Sequence, residues 1–266
     1  MQALMLAAGM GCRMGDCTGA LAKCMIRING QTLLERTVEA LKLAGISKMV
    51  IVVGWHSTQL VKTIQSSING IEFEFVYNSD YATTNNIYSL YLTREQLSCD
   101  DTILIESDLV FDKELLRTVV QCPAQDIAVV SKYKPWMDGT AATVTEDGKI
   151  SAFIEKQDIE RQNADIYYKT VNIYKFSRCF SQQSFIPCME EYIGAHGKSQ
   201  YYEMVLKELT KAGQLRLNAF IVDALKWYEI DTKEDLARAT SLFQFEEPRQ
   251  ELMMLAEQIR MGQPVQ

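Results

Sequence analysis

Apolar and polar positions follow two alternating periods through the first half of the chain. Residues 2–6 form a short apolar run, which predicts a strand feeding the turn Gly9-Met10-Gly11. Residues 32–44 place Leu33, Leu34, Val38, Leu41 and Leu43 on a helix-like face that Gly45 ends. Lys48-Met-Val-Ile-Val-Val53 is continuously apolar after its lysine, as a strand buried on both faces of a parallel sheet should be. Ser57 is expected to cap a helix to about residue 68, followed by a strand over 73–77 and a helix over 85–97. Residues 102–106 read as another buried strand, which ends in Ser107-Asp108.

The second half is richer in strands. Residues 126–132, 140–145, 149–155 and 169–176 are strand-like, with Glu146-Asp147-Gly148 as a hairpin turn. Helices are predicted over 200–212 and 233–243. The amphipathic stretch 246–261 suits a cap, a homodimer contact or a linker. No internal repeat or low-complexity segment is visible. Alternating strands and helices predict an α/β, doubly wound sheet. The expected organisation is one domain over residues 1–243 and a helical tail or linker over 244–266. Ligands of such sheets sit beyond the C-terminal strand ends, where the glycine turn and Asp108 are both expected, so they should face one cleft.

Charge and composition narrow the partners. With 27 basic and 34 acidic residues the formal net charge is −7, which argues against a nucleic-acid binder. No apolar run approaches the roughly 18 residues of a membrane span. The N-terminal residues lack the basic and long apolar regions of a signal peptide. Seven cysteines (12, 17, 24, 99, 122, 179 and 188) include no C-x-x-C pair and fit a reducing cytoplasm. His56 and His196 stand apart from them, so no zinc site is expected.

The glycine turn carries the clearest chemistry. Two glycines after a strand let backbone N–H groups approach an anion closely, and Arg13 and Lys23 add positive charge suited to a polyphosphate. Met14 stands where a dinucleotide-binding fold would have its third glycine, and no G-x-x-x-x-G-K-[ST] is present. Asp108 follows a predicted strand, and Asp231 follows Trp227-Tyr-Glu-Ile230. Carboxylates placed there, near a phosphate cradle, suit Mg²⁺, which usually takes one or two carboxylates plus substrate phosphates. The alternative for Asp231 is a helix cap, because Thr-Lys-Glu-Asp follows it.

Leu6-Ala-Ala-Gly-Met-Gly-Cys-Arg13, Lys23 and Asn29-Gly-Gln-Thr-Leu-Leu-Glu35 together resemble the opening of nucleotidyltransferases that join an NTP to a phosphorylated small molecule. The segment from Asn78 to Tyr91 is similar to that of cytidylyltransferases acting on phosphocholine and 2-aminoethylphosphonate, and Tyr228-Glu-Ile-Asp231 resembles that subgroup's second metal aspartate. One departure is Ala22, where the family usually has proline before the lysine. Losing the ring that fixes φ near −65° could loosen the loop carrying Lys23.

The resemblance implies a Rossmann-like mixed sheet with a small acceptor-binding β subdomain. It implies CTP as donor, Mg²⁺ held by Asp108 and Asp231, and Arg13, Lys23 and Asp108 as catalytic residues. Nucleotide contacts are expected from Leu6, Ala7, Ala8, Gly9, Met10, Gly11, Arg13, Lys23 and Ser107, and from Thr83, Asn85, Asn86 and Ser89. For Asn85 and Asn86, helix capping is an equal alternative. The acceptor would be a small zwitterionic phosphonate or phosphate ester. A primary ammonium needs carboxylate or carbonyl partners, whereas choline prefers an aromatic cage. Trp136 and Asp138 offer both. Lys132, Lys156 and Lys169 are candidate phosphonate ligands and Glu203 a candidate ammonium partner. Tyr201 and Tyr202 read as core. The favoured expectation is 2-aminoethylphosphonate, then phosphocholine, then a sugar 1-phosphate. A non-catalytic nucleotide-binding module is the reading from another class, but it expects degraded charges, and Arg13, Lys23, Asp108 and Asp231 are all present. Some relatives carry a fused pyridoxal-phosphate transaminase.

Overall fold

The computed structural model describes residues 1–11 and 22–244, with only the backbone of 161–163. Arg13 and the stretch expected to form a helix over 246–261 lie outside the described residues. In chain order the first half gives β1 (Gln2–Ala7), β2 (Arg27–Ile28), β3 (Gln31–Thr32), α1 (Leu33–Leu43), β4 (Lys48–Val53), α2 (Ser57–Ser67) and β5 (Glu72–Tyr77). It continues with α3 (Asn86–Tyr91), α4 (Arg94–Cys99), β6 (Thr102–Glu106), β7 (Leu109–Phe111) and α5 (Glu114–Gln121). The second half gives β8 (Ile127–Lys132), β9 (Ala141–Val144), β10 (Ile150–Ile154), β11 (Tyr167–Phe176), α6 (Arg178–Phe180) and α7 (Ile186–His196). It closes with α8 (Glu203–Lys211), β12 (Asn218–Ile221), β13 (Trp227–Glu229) and α9 (Lys233–Leu242).

Strands β6, β1, β4 and β5 pair in parallel, and β11 joins the β6 edge antiparallel. Alternation along β1 explains the two apolar layers. Ala3, Met5 and Ala7 pack with Leu34, Val38 and Leu41 of α1, while Leu4 and Leu6 pack with Ile87 and Leu90 of α3 and Leu206 of α8. Helices therefore cover both faces, as a doubly wound sheet requires. The strands of the second half extend this sheet. β8 and β9 both pair with β11, and the β9–β10 hairpin turns at residues 146–148 as expected.

Three local expectations change. The α2 helix begins at Ser57, and the residue before its first turn is His56 in a left-handed conformation with φ 50°, so Ser57 is not the cap. The helix expected over 85–97 is two helices, because the chain turns at Leu92-Thr93. Helix α8 starts at Glu203, three residues later than predicted.

Strand β11 contains the feature that matters most for the site. It pairs with β9 over Tyr167–Lys169 and with β6 over Ile173–Phe176, and its register on β8 shifts between Thr170 and Tyr174. Asn172 stands in that break with φ 60°, a backbone region costly for a residue with a side chain.

Candidate active site

The C-terminal ends of β1 and β6 build the first part of the site. After Ala7 the chain turns outward through Ala8 and Gly9, and Gly11 takes a positive φ of 61°. The backbone N–H of Trp55 donates to Ala8 O at 3.1 Å and ties this turn to the end of β4. A Cβ at Gly54 would stand 2.8 Å from Ala8 O and 2.7 Å from Tyr81 Cβ, so only glycine lets these segments meet. Ala22 holds φ at −63°, the value proline would impose, and is buried, so the backbone enters Lys23 in that conformation without the ring.

A short antiparallel pairing brings the two aspartates together. β7 pairs with β13, setting Leu109 opposite Glu229, and Ile230 N donates to Asp108 O at 2.9 Å. Asp231 thus arrives beside Asp108 although 123 residues separate them in sequence (231 − 108). The alternative role for Asp231 falls to its neighbour. Thr232 caps α9 in a capping box with Asp235, and the Asp231 carboxylate turns to Lys23.

Lys23 Nζ lies between them, donating to Asp231 Oδ1 at 2.6 Å and Asp108 Oδ2 at 3.0 Å. Burial works against its charge, but the two carboxylates outweigh burial and raise its pKa. The remaining Asp108 oxygen, Oδ1, is buried with no hydrogen-bond partner among the described residues. Two carboxylates already converging on a cation, with one open buried oxygen, suit a hard divalent metal whose other ligands are water and phosphate oxygens. Among the described residues no group of three or more acidic, histidine or cysteine side chains converges as a metal cage.

Three cavities meet at this pair. The first, about 290 Å³, is lined by Leu6, Ala8, Gly9, Gly11, Lys23, Asn85, Asn86, Ser89 and Ser107, so nine of the expected nucleotide contacts share one cleft with Asp108. Thr84 lines it in place of Thr83, whose hydroxyl is exposed and donates to Asp80 O. Ala7 is buried in β1 and Met10 is exposed; neither lines this cavity. The middle cavity, about 370 Å³, shares Asn86, Glu106 and Asp108 with the first and adds Asp231, Lys156, Lys169 and Glu203. The third, about 580 Å³, lies on the far side of Asp231 and includes Trp136, which stacks on Tyr228 at 5.9 Å. Asp138 lines both the middle and third cavities and is ion-paired to Lys156 at 2.8 Å. Lys132 is not brought to the site: its ammonium donates to Asp165 O and sits 4.9 Å from the centre of the Tyr168 ring.

Among the residues assigned no site role from the sequence, Glu106, Asn172, Tyr201 and Glu229 line the middle cavity; Tyr201, expected in the core, is exposed. A signal for the two glutamates was present. Each metal-suited aspartate follows a glutamate by two positions, in Glu106-Ser-Asp108 and Glu229-Ile-Asp231, and extended chain places such pairs on one side. Burial raises the pKa of both glutamates, with added repulsion from Asp108. Glu229 accepts from Asn172 Nδ2 at 3.2 Å and pairs with Lys169 at 3.3 Å. Asn86 does cap-adjacent and site work at once, accepting from Tyr202 N at 3.0 Å and donating to Glu106 Oε1 at 3.3 Å. Asn85 caps α3 and also lines the first cavity.

A glycine turn after the first strand, a lysine and two aspartates at the strand ends are the parts of a nucleoside-triphosphate site. Residues 3–207 match the MobA-like NTP transferase domain family. The chain belongs to that family.

Among relatives of this NTP transferase domain is the CMP-5'-(3-aminopropyl)phosphonate synthase of Streptomyces rubellomurinus, 28% identical over 260 residues that cover 96% of this chain and 40% of the relative. The 2-aminoethylphosphonate cytidylyltransferase of Lancefieldella rimae is 32% identical over 112 residues, covering 42% of this chain and 44% of that protein. The matched stretch is less than half the length of each of these two relatives. The CTP:phosphocholine cytidylyltransferase structure from Streptococcus pneumoniae superposes with a TM-score of 0.73 at 22% identity, covering 91% of this chain and 98% of that one. At that identity the likeness speaks for the fold, a mixed α/β nucleotidyltransferase sheet. No helix among the described residues is long and apolar enough to cross a membrane.

Proposed function

We propose that this protein is a Mg²⁺-dependent cytidylyltransferase that transfers CMP from CTP to 2-aminoethylphosphonate. The observation that carries the reading is the composition of the middle cavity. It opens on the Asp108–Asp231 pair and is lined by seven carboxylates, Glu106, Asp108, Asp138, Glu155, Glu203, Glu229 and Asp231, with one aromatic side chain, Tyr201. Such a wall answers a primary ammonium, which donates hydrogen bonds. It does not resemble the aromatic cage a quaternary ammonium prefers. The relatives named for aminoalkylphosphonates point the same way.

The chemistry follows from charge. A phosphonate oxygen is largely anionic near neutral pH, as a phosphate ester is with a second pKa of about 6, so no strong general base is needed. Its oxygen forms the new bond to the α-phosphorus of CTP while the bond from that phosphorus to the bridging oxygen breaks and pyrophosphate leaves. The chain's work is positioning and charge neutralisation. The backbone of residues 8–11 and the Lys23 ammonium hold the triphosphate, and Arg13 is assigned the departing pyrophosphate. Asp108 and Asp231 would hold Mg²⁺, which when bound neutralises charge on the nucleophile and the α-phosphate. Asn85, Asn86 and Ser89 line the side of the first cavity suited to the cytidine. Lys156 and Lys169 supply the positive charge nearest the acceptor's phosphonate.

Phosphorus NMR of CTP, Mg²⁺ and 2-aminoethylphosphonate with the protein tests this. A mixed phosphonate–phosphate anhydride with matching pyrophosphate is expected. Product with UTP and a hexose 1-phosphate, and none with the phosphonate, would overturn it.

A further inference from the structure

The carboxylates of the middle cavity are not equivalent, because most already have donors. Glu229 accepts from Asn172 at one oxygen and pairs with Lys169 at the other. Glu106 Oε1 accepts from Asn86, Asp138 holds Lys156, and Glu155 holds Lys207. Asp108 and Asp231 are turned on Lys23. Glu203 keeps an open oxygen: its Oε2 is buried with no hydrogen-bond partner among the described residues, as is Asp108 Oδ1 at the metal-suited pair. An acceptor atom in that state carries a desolvation cost until something donates to it. Its position is fixed by its neighbours. Glu203 opens α8, and Asn86 Oδ1, which belongs to the wall shared with the first cavity, accepts from the preceding N–H, that of Tyr202.

We propose that Glu203 is the residue by which this protein selects an acceptor bearing a primary ammonium over one whose nitrogen is fully methylated. The proposal rests on the aminoalkylphosphonate reading above. An –NH₃⁺ group donates three hydrogen bonds and can satisfy Oε2. A trimethylammonium has no N–H, so it would leave that oxygen both desolvated and without a donor. Sites built around a hydrogen bond reject analogues lacking the donor far more strongly than apolar pockets reject an extra methyl. Burial also pushes the Glu203 carboxyl up to about 7, outweighing the opposing effects of its own backbone N–H, the Lys169 charge and Asn86.

The test is kcat/KM for 2-aminoethylphosphonate, its N-methyl and N,N,N-trimethyl forms, and ethylphosphonate, with CTP and Mg²⁺, in the wild type, Glu203→Gln and Glu203→Asp. The wild type should prefer the primary amine over the trimethyl form by about 10²-fold or more. In Glu203→Gln that ratio should fall at least tenfold, through KM for the acceptor, with CTP affinity by calorimetry unchanged. Glu203→Asp should recover part of the preference. A wild-type ratio below tenfold, or a ratio untouched by Glu203→Gln, overturns the role of Glu203 while leaving the cytidylyltransferase reading standing. Turnover of no phosphonate by the wild type overturns that reading, and the inference with it. If Glu203→Gln fails to fold, the wild-type ratio and Glu203→Asp still decide the question.

Discussion

Lys23 Nζ and Asp231 Oδ1 meet at 2.6 Å across 208 residues of sequence, with Asp108 closing the other side of the ammonium. The contact joins the segment that follows the glycine turn to the β7–β13 pairing, and so brings the phosphate-binding and metal-suited residues to one point. A cation already sits where the proposed Mg²⁺ would be held. The two carboxylates therefore need charge between them, and removing any one member should be costly.

Asp108→Ala and Asp231→Asn should each lower kcat by roughly 10³-fold, about 4 kcal/mol of transition-state stabilisation at about 1.36 kcal/mol per decade. Either change should also weaken Mn²⁺ binding measured by electron paramagnetic resonance. Lys23→Met should lower CTP turnover comparably while retaining Mn²⁺, because it removes the phosphate-directed charge and spares the carboxylates. Unchanged turnover in Asp108→Ala would remove the metal assignment.

Gly54→Ala tests the backbone approach behind the glycine turn. The added methyl would meet backbone at Ala8 O and the Cβ of Tyr81, neither of which can swing away. A loss of about 1–3 kcal/mol in thermal or denaturant unfolding is expected, as for overpacking elsewhere. KM for CTP should rise, since the displaced residue lies in the phosphate cradle.

Asn172 separates strain from function. Asn172→Gly relieves the positive φ but deletes the hydrogen bond to Glu229, whereas Asn172→Ala deletes the bond and keeps the strain. Glycine should therefore be the more stable variant, by roughly 1 kcal/mol. Both should raise acceptor KM by a similar factor, and neither should move KM for CTP. Kinetics and denaturant midpoints on the two variants check this.

The Glu203 carboxyl, shifted by burial from 4.5 to about 7, sets a pH dependence. Below that value it is protonated and offers no charge to an ammonium, so acceptor KM should fall as pH rises from 6 to 8. The phosphonate's own second ionisation, near 6 if like a phosphate ester, acts in the same range, so ethylphosphonate provides the baseline. Glu203→Gln should keep that baseline and lose the rest. For stability the sign is reversed. The folded state binds this proton more tightly than the unfolded chain, so its stabilising contribution is lost as pH rises from 4.5 through 7. Glu203→Gln should gain melting temperature relative to the wild type at pH 8, and gain less at pH 5.

The buried framework was legible because its physics is local. Runs such as Met49–Val53 and Ile103–Ile105 are apolar on both faces, which only a covered parallel sheet explains. Asp108 and Asp231 were legible because charge at a strand end is expensive unless a ligand or partner answers it, and Lys23 as positive charge following the glycine turn. The missed residues depend on pairing at long range. Glu106 and Glu229 reach one cavity only because β7 finds β13, two three-residue strands too short to announce themselves. Asn172 looked like any residue of an apolar strand, since a register shift leaves no mark in composition. Helix α7 was not predicted, since Pro187 stands at its start and no clear apolar stripe marks its length. Trp136 was expected at the acceptor but lines the third cavity, because its ring stacks on Tyr228.

The most direct test of the account is a competition in one vessel, with limiting CTP, Mg²⁺ and equal 2-aminoethylphosphonate and phosphocholine. The account predicts that the CMP-aminoethylphosphonate product dominates by at least tenfold while pyrophosphate equals the sum of products. Equal amounts, or an excess of the choline product, would contradict it.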